Sequence, residues 1–259
     1  MADRRPDRAS LHPFLQGDRP VAVAHRGGAL EAPENTIEAF EYAAELGYRY
    51  IETDAQLTAD GVVVAFHDSS IDRVSEKSGE ISDWRWSDLS SVAIEGSGRL
   101  TTIEQLLDAY PGHKFNIDAK SDAVADPLLG VIANASAFER VCVGSFDEKR
   151  LVQMRANAPD LCTSFGPPPT LKHVIRSLGI PIPRQKGGLV FQVPMAYRGL
   201  PIVTQRFIDR AHDDGLLVHV WTINDADQMR RLLDMGVDGV MTDRPSVLKD
   251  VFTERGLPF

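Results

Sequence analysis

From residue 20 onward the chain alternates short apolar runs with amphipathic segments two to three turns long. Runs over residues 21–24, 50–57, 114–119, 141–146, 161–165, 189–193, 216–223 and 239–242 read as strands. Helical spacing fills residues 36–46, 102–110, 127–137, 147–157, 171–178, 205–214 and 226–235 between them. Asn35 or Thr36 can cap the first helix and Gly47 ends it. Strands that alternate with helices at this spacing pair in parallel through crossover helices. Eight such strands close a barrel, so the expected fold is a single TIM (β/α)8 barrel over residues 20–259, preceded by an extension over 1–19.

Two segments interrupt the pattern. Asp60-Gly61 lies between β-rich runs and predicts a two-residue hairpin turn, with Val62 to His67 as the return strand. That pairing sets Asp54 opposite His67. Residues 69–100 follow as a polar insertion after strand 2, with Trp84 and Trp86 expected to pin it to the barrel. A proline-rich insertion, 166–188, precedes strand 6. Within it Leu171, Val174, Ile175 and Leu178 form a helical apolar face expected to dock on the core.

Composition narrows the partners. The chain has 28 Lys and Arg against 37 Asp and Glu, a net charge of −9, and is 43% hydrophobic. That apolar content supports a packed core rather than disorder. The acidic balance excludes a nucleic-acid binder, which needs a basic face, and suits a protein that holds a cation. No run approaches the ~20 apolar residues of a membrane span. Met1 to Pro20 lacks the apolar centre of a secretory signal. Cys142 and Cys162, each in an apolar run, are expected to be buried reduced thiols, so a cytoplasmic location is expected.

Polar residues gather at the ends of the apolar strands. His25-Arg26-Gly27-Gly28 follows strand 1; Glu52 and Asp54 share one face of strand 2, and Asp118 and Lys120 one face of strand 3. Three carboxylates gathered there repel one another unless a cation neutralises them, and oxygen donors select Mg²⁺ or Ca²⁺ over zinc. His25 and His67 can serve as base and acid, and Arg26 and Lys120 can donate to phosphate oxygens. Acid, base, divalent metal and phosphate clamps together describe phosphodiester cleavage. His219 reads as a packed barrel residue, and His12, His113, His173 and His212 require no functional account.

The blocks Ala24-His25-Arg26-Gly27-Gly28, Ala32-Pro33-Glu34-Asn35-Thr36, Ile51-Glu52-Thr53-Asp54 and Thr58-Ala59-Asp60-Gly61 with His67-Asp68 resemble the glycerophosphodiester phosphodiesterases. So do Asn116-Ile117-Asp118-Ala119-Lys120, Val220-Trp221-Thr222-Ile223-Asn224 and residues 236–245. The resemblance implies a TIM barrel of the phospholipase C-like phosphodiesterase type, with its site at the C-terminal mouth. It implies His25 and His67 as the catalytic pair, His25 as base and His67 as acid. Glu52, Asp54 and Asp118 fall on the metal positions, for one divalent cation, Mg²⁺ or Ca²⁺, with Mn²⁺ also admitted. The position of Asp118 usually carries Glu in the family, one methylene longer. Arg26, Lys120, Gln192 and Trp221 match substrate-contacting positions. The implied reaction converts a small glycerophosphodiester into an alcohol and sn-glycerol 3-phosphate. The proton is taken from water or from the substrate's own adjacent hydroxyl. Lysophospholipase D action on lysophospholipids is the alternative. A non-catalytic phosphate-binding barrel would have lost a histidine or carboxylate, and none is missing. A zinc amidohydrolase barrel needs a second histidine where Gly27 stands. Nothing in the sequence sets an oligomeric state.

Overall fold

Alternate residues of each strand separate into two apolar layers, and this separation builds the fold. The computed structural model describes residues 5–259; of the extension over 1–19, residues 1–4 lie outside the described residues. Eight parallel strands form the barrel: β1 (Val21–Ala24), β2 (Tyr50–Leu57), β3 (Lys114–Ala119), β4 (Val141–Gly144), β5 (Cys162–Thr163), β6 (Val190–Pro194), β7 (Leu217–Trp221) and β8 (Gly239–Thr242). They are hydrogen-bonded in the order β5-β4-β3-β2-β1-β8-β7-β6, and a parallel bridge from Ser164 to Val190 brings the two ends together. The architecture is the expected TIM barrel.

Inward positions stack Val21, Val23, Tyr50, Cys142, Cys162, Val190, Leu217 and Met241 into an inner core. Outward positions, among them Ile51, Phe115, Val143, Phe191, Val218 and Val240, meet the helices in the larger core. Both cysteines are buried and free, on paired positions of β4 and β5. The segment before β1 closes the bottom of the barrel, burying Phe14 and Leu15. Lys114 Nζ donates there to the carbonyls of Pro13 (2.6 Å) and Phe14 (3.0 Å).

Among the described residues, eight helices surround the strands: α1 (Ile37–Glu45), α2 (Ile103–Ala109), α3 (Asp122–Asn134), α4 (Glu148–Asn157), α5 (Pro167–Ser177), α6 (Gln205–Asp213), α7 (Ala226–Met235) and α8 (Pro245–Glu254). Thr36 caps α1, accepting from Ala39 N–H at 3.3 Å. Helix α3 begins five residues before the expected start at Pro127, because Ser121 caps it. The helix expected over 171–178 begins four residues earlier, at Pro167, and the rest of the insertion is loop: Pro167, Pro168 and Pro169 occupy the first turn of α5, where backbone N–H groups lack intrahelical partners. Its buried face is not the apolar stripe. Thr170 and His173 are buried, His173 packing on Phe191 and Phe207 at ring separations of 4.3 and 4.6 Å. Leu171 and Leu178 stay 60% and 64% exposed, and Val174 alone of that stripe packs on the main core. Helix α8 was absent from the expected set.

The hairpin also differs from expectation. The return strand Val63–Ala65 pairs Ala55 with Ala65, Gln56 with Val64 and Leu57 with Val63. Phe66 therefore stands opposite Asp54, its N–H on the Asp54 carbonyl at 3.0 Å, and His67 lies one residue beyond. The cause is a longer loop over 58–62. Thr58 Oγ1 donates to Asp60 Oδ1 at 2.7 Å, and Asp60 Oδ1 also accepts from Trp86 N–H at 3.0 Å. One residue of register exchanges the faces, so Val64 and Phe66 join the satellite core of the first insertion with Ile71, Ile81 and Leu89. Trp84 and Trp86 pack on that cluster.

His219 points into the barrel, 2% exposed. Burial lowers its pKa to about 4, against the smaller opposing pull of Asp238. The unfolded chain takes up a proton on this ring near pH 6.5, and the folded protein only near 4. Stability must therefore fall as pH drops through this window and be level above it. Between pH 7.5 and 5 the expected loss is about 2 kcal/mol. In urea unfolding at the two pH values, His219→Leu should remove that component of the pH dependence; an unchanged dependence refutes the assignment.

Candidate active site

The mouth of the barrel is assembled where inward positions continue past the strand ends. β1 delivers Val21 and Val23 inward, and the next inward position is His25. The chain then turns sharply: Arg26, Gly27 and Gly28 all have positive φ, at 52°, 79° and 116°. A Cβ at Gly27 would lie 2.7 Å from Ala39 Cβ, and one at Gly28 2.7 Å from Pro245 Cγ, so both positions demand glycine. Arg26 tolerates its left-handed conformation with its N–H bound to Glu52 Oε2 at 3.0 Å.

β2 carries Tyr50, Glu52 and Asp54 inward, and β3 carries Lys114, Asn116 and Asp118. Asp54 and Asp118 are register partners, and Lys120 Nζ sits between them, 2.7 Å from an oxygen of each. Asp54 also meets Arg26 Nε at 3.3 Å and Asn35 Nδ2 at 2.8 Å. Burial alone would raise the Asp54 pKa, yet Lys120, Arg26 and His67 outweigh it and hold the carboxyl below its usual range. Glu52, two residues away, goes the other way. Burial and the neighbouring Asp54 charge push it up to about 7.

Each histidine has its own carboxylate. His25 Nδ1 bonds Asp243 Oδ1 at 2.6 Å, and its Nε2 faces Glu52 Oε2 at 3.6 Å. Asn224 Nδ2 holds the other Asp243 oxygen at 2.9 Å. Burial works against the charged ring of His25, but Glu52 and Asp243 together raise its pKa above 6.5. His67 Nδ1 bonds Asp68 Oδ1 at 2.5 Å. Gln192 Nε2 donates to Asn116 Oδ1 at 2.7 Å, placing Gln192 on the same floor. Trp221, at the end of β7, meets the exposed Phe146 edge-on at 5.8 Å.

His25, Arg26, Glu52, Asp54, Asp118 and Lys120 thus form one connected set. His67 joins it at the rim, and Gln192 and Trp221 line the same end of the barrel. Sequence reasoning gave no place in the site to Asp243, Asp68 or Glu34, and read Asn35 only as a candidate helix cap. Adjacency to His67 could have flagged Asp68; Asp243 meets His25 only through the β1–β8 pairing.

Among the described residues, no three His, Cys, Asp or Glu side chains stand ready-arranged around a metal. Lys120 already bridges two of the carboxylates. The donor set nevertheless suits a hard cation. Asp118 Oδ1 is buried without a hydrogen-bond partner, and at Glu52 burial and the Asp54 charge outweigh the nearby His25, Lys120 and Arg26.

A barrel whose mouth holds two aspartate-bound histidines, a carboxylate cluster and two cations defines a phosphodiesterase-type hydrolase. Residues 25–247 match the glycerophosphoryl diester phosphodiesterase family, and the chain belongs to that family. It is 35% identical over 249 residues to a Mycobacterium tuberculosis protein named probable glycerophosphodiester phosphodiesterase 2, covering 94% of each chain. It is 24% identical to the human lysophospholipase D GDPD1, covering 88% of this chain and 84% of that one. In structure it resembles an Oleispira antarctica phosphodiesterase in complex with the product sn-glycerol-3-phosphate, with TM-score 0.75, 20% identity, and 91% and 97% of the two chains covered.

Asp243→Asn keeps the shape of the His25 partner but removes its charge. The His25 pKa, followed by NMR in metal-free protein, should fall, and turnover should drop by about 10²-fold or more. An unmoved titration would show that Asp243 does not set the ring's charge.

Proposed function

We propose that the protein hydrolyses glycerophosphodiesters to an alcohol and sn-glycerol 3-phosphate. The observation that carries this reading is the placement of two aspartate-oriented histidines around one carboxylate and cation cluster at the mouth. Family membership and the product bound to the Oleispira relative support it.

Arg26 and Lys120 are the donors for the phosphate oxygens, and Gln192 and Trp221 contact the substrate beside them. Asp243 engages His25 Nδ1, which leaves Nε2 to take a proton from water or from the hydroxyl next to the phosphate. Asp68 engages His67 Nδ1 in the same way, and His67 Nε2 returns a proton to the departing alcohol oxygen. Glu52, Asp54 and Asp118 are the donors for one divalent cation, Mg²⁺ or Ca²⁺, with Mn²⁺ a further candidate. When bound, such an ion offsets negative charge on the phosphate. No helix among the described residues is long and apolar enough to cross a membrane. The two free buried thiols support a cytoplasmic location.

A second reading, lysophospholipase D action, is favoured by apolar side chains exposed on loops that follow the barrel strands. Phe146 follows β4, and Tyr197 and Leu200 pair across a hairpin after β6, exposed at 66%, 60% and 73%. Glycerophosphocholine compared with lysophosphatidylcholine as substrate separates the two readings.

Hydrolysis of a small glycerophosphodiester panel should stop with EDTA and return with Mg²⁺, Mn²⁺ or Ca²⁺; activity indifferent to chelation eliminates the metal. His25→Ala and His67→Ala should each lower turnover by ~10² or more. A near-normal rate removes that histidine from the mechanism.

A further inference from the structure

The insertion after β2 does more than border the mouth: one of its side chains reaches the candidate acid. Arg73 Nε donates to Asp68 Oδ2 at 2.6 Å, while Asp68 Oδ1 bonds His67 Nδ1. The other end of the same guanidinium grips Glu34 with both nitrogens, Nη1 to Oε2 at 3.0 Å and Nη2 to Oε1 at 2.6 Å. Glu34 in turn accepts from Arg26 Nη1 at 3.1 Å. We propose that Arg73 is a positioning residue for the acid step, locking Asp68 and through it the His67 ring so that Nε2 faces the leaving alcohol. This rests on the reading of His67 as the acid.

Three features distinguish this arginine from an ordinary rim ion pair, which contributes little. First, the His67 side chain is 33% exposed, so hydrogen bonding to Asp68 has to supply orientation that packing gives His25. Secondly, Asp68 has two oxygens and each is used, one by His67 and one by Arg73, so the carboxylate cannot turn without breaking a bond. Thirdly, both ends of the strut are anchored. Glu34 is buried beside Asn35, which holds Asp54, and the backbone around Arg73 is fixed by Ile71 and Val74 in the satellite core. Using three nitrogens on two carboxylates demands the planar fork of arginine, and lysine cannot reproduce it. The strut therefore links the phosphate-binding turn at Arg26 to the acid at His67.

The test exploits the leaving group. A choline alkoxide needs a proton as it departs, whereas p-nitrophenolate does not. Arg73→Met should lower kcat on glycerophosphocholine by ~10²-fold. On the p-nitrophenyl ester of glycerol phosphate the loss should be only about fivefold or less, because protonation contributes little there. Arg73→Lys should show the same split more weakly, and it serves if the methionine variant does not fold. The ratio between substrates within one preparation is independent of the fraction of active protein. Equal losses on both esters, or no loss on either, overturn the proposal. His67→Ala provides the separate check. A split in H67A without one in the Arg73 variants overturns the positioning role alone. Equal losses in H67A overturn the reading of His67 as the acid, and the proposal with it.

Discussion

Asp54 is the buried charge on which the mouth depends. It is 1% exposed, and a carboxylate that deep is tolerable only when its oxygens are engaged. Lys120, Arg26 and Asn35 meet that requirement, and each comes from a different part of the chain. Lys120 extends β3, Arg26 follows β1 and Asn35 precedes α1. Neutralising this one group therefore draws three loops to a common centre. The same allocation leaves Glu52 short of positive charge, so two carboxylates two residues apart titrate in opposite directions. Environment, rather than residue type, sets the direction of each shift.

Around this centre stand two histidine–aspartate arms of unlike construction. The arm of His25 is made by the barrel itself, through β1, β8 and the Asn224 side chain, and is the less exposed of the two. The arm of His67 belongs to the rim. Its aspartate is the next residue in sequence, and its outer support comes from the insertion and its own hydrophobic cluster. A rigid inner arm and a rim arm braced from outside suit groups acting on opposite sides of a phosphate, one sheltered and one beside the departing alcohol.

Much of this was legible in the sequence because a strand has a period of two. The inward positions low on β2, β3 and β7, occupied by Tyr50, Lys114 and Leu217, continue upward as Glu52 and Asp54, as Asp118, and as Trp221, so alternation alone gathers these candidate residues. The β2 and β3 bounds were readable to the residue, since both strands are buried on both faces and stop at polar turns. The hairpin was misjudged by one residue because Asp60 bonds to Thr58 and Trp86 rather than closing a two-residue turn. The stripe Leu171–Leu178 was misjudged because spacing marks an apolar face without saying what lies opposite. There the aromatic rings of Phe191 and Phe207 receive His173 instead.

The sequence by itself determined the fold class and the eight strands, and it set His25, Arg26, Glu52, Asp54, Asp118 and Lys120 at the ends of the first three. These follow from local periodicity and from motifs whose members are close in the chain. Only the tertiary structure decided which charge meets which. Asp243 lies 218 residues from His25, and Glu34 lies 39 from Arg73. Nothing in local spacing reports such meetings, because they arise from barrel closure and from an insertion folding back on its own core. The pKa of a buried group depends on those neighbours, so the opposite shifts of Glu52 and Asp54 emerge only from the closed barrel.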